Sequence, residues 1–199
     1  MSAELMVAFI LFSISISITP GAGNIALLGI SSRYGFSATV PFVFGNAFGV
    51  IVVLAGSSVG LVTLLTVYPD LYFAMKLVGA AYLLYLAWSI ATLEVGSDVS
   101  VSRSGFSAGV LIQILNPKSW VASLTVFSQF VSTSGNYLVQ VMTIITIMIV
   151  TGVMSMFVWA YFGTMLKRLL QSPRQMVLVN RCLGGSLALV ALFMLNQTA

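Results

Sequence analysis

No histidine occurs anywhere in the chain, and cysteine occurs once, at Cys182. The first absence removes the side chain that most often serves as general base or metal ligand near neutral pH. The second excludes a disulfide within one chain and any CxxC redox pair. Charge is scarce too. Eight Lys and Arg and four Asp and Glu make up 6% of 199 residues, where a soluble domain carries about 25%. The four carboxylates, Glu4, Asp70, Glu94 and Asp98, all fall at the ends of apolar runs or between them. No acid is therefore placed at mid-membrane depth to hold a cationic side chain or carry a proton. An enzyme would need paired acids, a metal cluster or a nucleophile with its base. Ser119 beside Lys118 is no ready dyad, because neighbours on a helix point about 100° apart. The net charge of +4 is scattered without the basic stripe that nucleic acid requires. Nothing in the pattern calls for a cofactor or a metal.

What fills the chain instead is apolar: 59% of residues are hydrophobic and the mean hydropathy is +1.09. So few charges cannot cover a water-facing surface, so lipid is much of the solvent. A span needs about 20 mostly apolar residues, and six runs qualify, at 5–28, 37–67, 71–93, 105–131, 138–166 and 176–195. The start lacks the basic n-region of a signal peptide and carries Glu4, so it reads as a retained span. "SSRYGFS" reads as a short loop, and "YPDLY" as a tight turn in which Asp70 can cap the third helix. The polar stretch 94–104 is the linker between halves 1–93 and 105–199. The expected fold is an all-α integral membrane domain of six transmembrane helices arranged as two inverted three-helix repeats, because an odd number of spans per half reverses the second half. With six spans, Arg33, Arg103, Lys167, Arg168 and Arg174 fall on one side. The positive-inside rule then places both termini outside and brings Trp88, Trp159 and Tyr161 near the inner interface.

Two spans are broken in the middle. "SITPGAGNI" puts Pro20 and Gly21 half-way along the first run, and "LNPKSW" puts Asn116 and Pro117 half-way along the fourth. These are corresponding positions in the two halves, where interrupted helices point to a transporter's binding site. Each proline removes an i→i−4 hydrogen bond, which frees carbonyls near Ser15–Ile16 and near Ile112–Gln113. Helix N-termini starting after the breaks would offer N–H groups to a carboxylate, and the freed carbonyls suit an ammonium. A simple kink is the competing reading of either break alone.

Lys118 lies about a dozen residues, or close to 18 Å, from either end of its run, too far to snorkel easily. A mid-membrane charge marks function when it faces the interior. Lys76 and Arg181 sit near span ends and read as structural. Asn24, Asn46 and Gln113, with Ser15 and Thr19, are polar side chains able to line a cavity. "GNAFG" (45–49) and "GSSVG" (56–60) are small-residue faces that allow close packing of helices or a homodimer.

"TPGAGN", "GAAYLLYLAW" and "LNPKSW", in this order over nearly the whole chain, resemble the lysine exporter superfamily in its homoserine/threonine exporter branch. Size and the "PGAGN" variant are also similar to the cysteine/O-acetylserine exporters of that branch. The family pattern is Pro-Gly-Pro; here the third residue is Ala22. The resemblance implies a bacterial inner-membrane protein with six spans that exports amino acids, driven by the proton gradient. It lands on Pro20, Gly21, Asn116, Pro117 and Lys118. The expected function is a secondary transporter for small neutral amino acids or their derivatives, with the halves rocking around a midplane site. A channel or a non-catalytic partner subunit is the alternative.

Overall fold

A computed structural model describes residues 3–60, 67–92, 105–131, 136–169 and 172–196. The linker 94–104 lies outside the described residues. Eight α-helices occur among them: α1 (Ala3–Ile18), α2 (Ala22–Tyr34), α3 (Val40–Ser58), α4 (Pro69–Ala91), α5 (Phe106–Ile114), α6 (Pro117–Phe130), α7 (Tyr137–Leu169) and α8 (Pro173–Asn196). A 3₁₀ turn, Phe36–Thr39, leads into α3.

Proline placement sets several of these boundaries. Pro69, Pro117 and Pro173 each open a helix, Pro41 sits in the first turn of α3, and Pro20 lies just ahead of α2. At a helix start the missing N–H costs nothing, since that donor has no partner there anyway. Ser172 and Gln175 add a reciprocal cap at the start of α8, each side chain accepting from the other's backbone N–H at 3.2 Å. Asp70 lies within the first turn of α4, not ahead of it as its cap. "SSRY" is also helical, contrary to its loop-like composition. Ser31 and Ser32 donate back to the carbonyls of Leu28 and Gly29, and the helix stops only at Gly35, whose φ of 86° suits glycine.

Two helical stretches, Phe36–Ser58 and Tyr137–Leu166, are long and apolar enough to cross a membrane. Two bent pairs qualify when taken together: α1 with α2, at 52°, and α5 with α6, at 63°. The apolar stretches of α4 and α8, Leu77–Trp88 and Val177–Leu189, are shorter. The described residues therefore hold two to four candidate spans. The bends fall where Pro20 and Pro117 interrupt the ladder.

The most extensive packing pairs α3 with α5, α4 with α8, and α2 with α7. Small residues make each pair close. A Cβ on Gly45 would overlap the Phe106 carbonyl, and one on Gly109 would overlap that of Phe42 and lie 2.7 Å from the Asn46 nitrogen. Gly163 meets Leu28 and Ser31, and Gly184 meets Ala87 and Ala91, in the same way. "GNAFG" is thus consumed by packing inside the chain. "GSSVG" contributes Ser57, which shares a 2.6 Å hydrogen bond with Ser123 of α6, while Gly60 lies beyond the helix at φ 95°. Two buried clusters result, one around Leu27, Phe42, Leu83 and Leu187, the other around Phe9, Leu54, Val126 and Ile144.

Gly109→Ala is expected to lower the thermal unfolding midpoint in detergent through overpacking of about 1–3 kcal/mol. Gly185→Ala, whose added Cβ meets nothing within 4 Å, should leave the midpoint unchanged or raise it slightly.

Candidate functional site

The first break is a set of carbonyls that have found new partners. Ser15's carbonyl accepts from the Thr19 N–H at 3.2 Å and from its hydroxyl at 2.6 Å. Asn24, one turn into α2, donates to the carbonyls of Ser17 at 3.0 Å and Thr19 at 3.1 Å. From α7, Ser155 donates to Ser17 at 2.8 Å and Trp159 Nε1 to Ile18 at 3.2 Å. Trp159 is therefore tied to the break by its ring nitrogen. Pro20 has no N–H to offer the Ile16 carbonyl, and Ile16 lines the cavity described below. Gly21 caps α2 in extended conformation without a side-chain hydrogen bond, so the first N–H groups of α2 have no side-chain cap.

The second break differs. Asn116 caps α6, its side chain accepting from the Lys118 N–H at 3.1 Å, and Ser119's N–H reaches the Asn116 carbonyl at 2.9 Å. Pro117 contributes no N–H. The start of α6 is thus largely satisfied by its own residues, and the expectation that both broken helices present open N–H groups holds only for α2. Three carbonyls there are taken as well. Leu111 accepts from Leu115 at 2.9 Å, Gln113 from Asn116 at 3.4 Å, and Ile114 from the Trp120 indole at 2.8 Å. Gly79 of α4 lies so close to the Leu115 carbonyl that a side chain there would collide with it.

The two breaks meet. A methyl group built on Gly21 would lie 3.6 Å from Lys118 Nζ. Asn46 of α3 approaches from the side: its Nδ2 donates to Gln113 Oε1 at 3.4 Å and would lie 3.4 Å from a methyl on Gly23. Together these residues line a cavity of about 130 Å³ between the two buried clusters. Of the predicted site residues, Gly21, Asn24, Asn46, Gln113, Asn116 and Lys118 line it, as does Thr19. Pro20 and Pro117 do not; they act by shaping the backbone. Ser15 turns away, its hydroxyl bonded to Leu11. Lys118 is the only titratable side chain in the lining, and no carboxylate joins it among the described residues.

Sequence reasoning missed the far wall. Ser119 and Ser123 of α6 and Met148, Gly152 and Met156 of α7 also line the cavity. The last three recur every four residues, one face of a helix. A glycine at the centre of the apolar run 138–166 was the available signal.

The arrangement joins a lone ammonium, an open helix N-terminus and several amide and carbonyl oxygens in one small cavity. The LysE type translocator family model matches residues 14–198. The cysteine/O-acetylserine efflux protein of Salmonella typhi is 28% identical over 169 residues, covering 84% of this chain and 87% of that protein. The protein of the same name from Escherichia coli K12 is 28% identical over 184 residues, covering 90% and 93%. No solved structure matches the chain.

Asn24→Leu should destabilise the protein by roughly 1–3 kcal/mol, because the Thr19 carbonyl loses its partner. Ser155→Ala should cost less, since Asn24 still serves the Ser17 carbonyl. Thermal unfolding of the two variants in detergent checks the order.

Proposed function

The chain belongs to the LysE type translocator family, a transporter and not an enzyme, and on that premise we propose that it exports small neutral amino acids or their derivatives across the bacterial inner membrane. The observation that carries the reading is Lys118 Nζ at the uncapped start of α2, 3.6 Å from a methyl position on Gly21. An ammonium beside a positive helix end, with no acid in the lining, leaves a positive field that an anionic group would neutralise. A substrate carboxylate fits that field. The Ile16 carbonyl and the amide oxygens of Asn46 and Gln113 are acceptors for its ammonium. A volume of about 130 Å³ offers room for about four waters at roughly 30 Å³ each, enough for a short side chain. Cysteine and O-acetylserine, named in the relatives, are substrates of this size and charge.

Six spans in two inverted repeats remain the proposed topology, with α4 and α8 completing the set. The packing supports it. The bent pair α1–α2 lies against α7 and the bent pair α5–α6 against α3, an exchange that an inverted two-fold would produce. The cavity is then the midplane site, and alternating access opens it to each side in turn. Both termini lie outside, as the loop arginines imply. Coupling to protons rests on the resemblance to the homoserine/threonine exporter branch. A homodimer would have to use faces other than Gly45 and Gly49, which α5 occupies.

Efflux of a panel of amino acids from preloaded proteoliposomes, with and without a pH gradient, tests the reading. Saturable efflux with counterflow is expected of a carrier, and unsaturable flux would indicate a pore. Lys118→Met should insert normally yet lose efflux by roughly ten- to a hundredfold, the worth of a charge-assisted hydrogen bond. Wild-type efflux from that variant would overturn the site. Pro20→Ala should reduce efflux; full activity would make the proline a mere kink.

A further inference from the structure

Six inward-facing glycines of the helices, Gly45, Gly49, Gly79, Gly109, Gly163 and Gly184, are held against a neighbouring segment so closely that a Cβ would collide. Gly152 is different. A Cβ there meets no atom within 4 Å, although the residue faces inward. The direction follows from helix geometry. Val150 and Met154 are exposed at 51% and 65%, and a residue two positions from each lies on the opposite side of the helix. Met148 and Met156, one turn to either side, line the same cavity as Gly152. The space above Gly152 is therefore the cavity itself, and no packing requirement accounts for the missing side chain.

We infer that Gly152 sets the largest substrate side chain that the cavity accepts, with the flanking methionines forming the wall against which that side chain lies. The inference rests on the reading of the cavity as an amino-acid site. With the carboxylate at Lys118 and the start of α2, the side chain extends toward the remaining wall, which is Val50, Ala122 and the Met148–Gly152–Met156 face. Apart from Ser119 and Ser123 of α6, that surface is apolar and includes two polarisable sulfurs, suited to a short apolar, thiol or ester side chain. A branched residue at 152 would remove room from the side-chain end and leave the carboxylate end intact.

The test is efflux of alanine, cysteine and O-acetylserine from preloaded proteoliposomes of wild type, Gly152→Ala and Gly152→Val. O-acetylserine efflux should fall on the order of tenfold or more in Gly152→Val, cysteine less, and alanine should stay within about twofold, since one methylene in a pocket is worth this much. Retained alanine efflux also shows that the variant is folded and inserted. Adding Met148→Ala to Gly152→Val should return O-acetylserine efflux by restoring volume. Equal losses for all three substrates, undiminished O-acetylserine efflux in Gly152→Val, or no return in the double variant would each overturn the role of Gly152. A flat size series beside an inactive Lys118→Met removes that role alone. An active Lys118→Met removes the site reading beneath it.

Discussion

Inside a bilayer a peptide carbonyl without a partner costs several kcal/mol, and Pro20 and Pro117 each disturb the ladder that would supply one. Much of the arrangement around the cavity follows from how those carbonyls are satisfied. At the first break the donors come from elsewhere: Asn24 from the next half-helix, Ser155 and Trp159 from α7. At the second they come from nearby: the Asn116 N–H reaches Gln113 and the Trp120 indole reaches back to Ile114. The first break is thereby fastened to α7, and the second is self-contained. This difference leaves the start of α2 open and the start of α6 closed.

The open end matters because of what stands beside it. Lys118 is the second residue of α6, where a positive charge opposes the helix dipole, and it also faces the positive end of α2. Neither helix end favours a cation at that point. An anion arriving in the cavity would find three favourable features at once: the ammonium, the α2 N–H groups and a lining with no competing acid. The glycine contacts supply the rigidity this needs. Gly45 and Gly109 draw α3 onto α5, and Gly79 draws α4 onto the Leu115 carbonyl, so the second break is held from two sides.

Much of this was legible in the amino-acid order. Both breaks, the intramembrane lysine and the polar side chains Asn24, Asn46 and Gln113 stand out because each violates what lipid demands of a span. What stayed hidden has a physical reason too. Sequence shows that a proline frees a carbonyl, but the replacement donor is a tertiary fact, as the Trp159 indole at Ile18 illustrates. Ser31 and Ser32 read as loop because serine is polar, yet back-bonding to their own helix kept α2 going to Tyr34. Gly152 carried no signal beyond its isolation in an apolar run, since only the surrounding shape distinguishes a glycine that permits packing from one that leaves a hole. The number of spans is where sequence goes further than the described helices: composition suggests six, and the helices themselves supply two to four.

The central claim is that Lys118 and the open start of α2 receive a carboxylate. Calorimetric titration of the purified protein in lipid nanodiscs with an amino acid that it exports, and with the matching amino-acid amide, tests this directly. The amide keeps size, ammonium and side chain but lacks the negative charge. The free acid should bind at least about tenfold more tightly than the amide, the worth of one charge-assisted hydrogen bond. Equal affinity for the two would contradict the assignment.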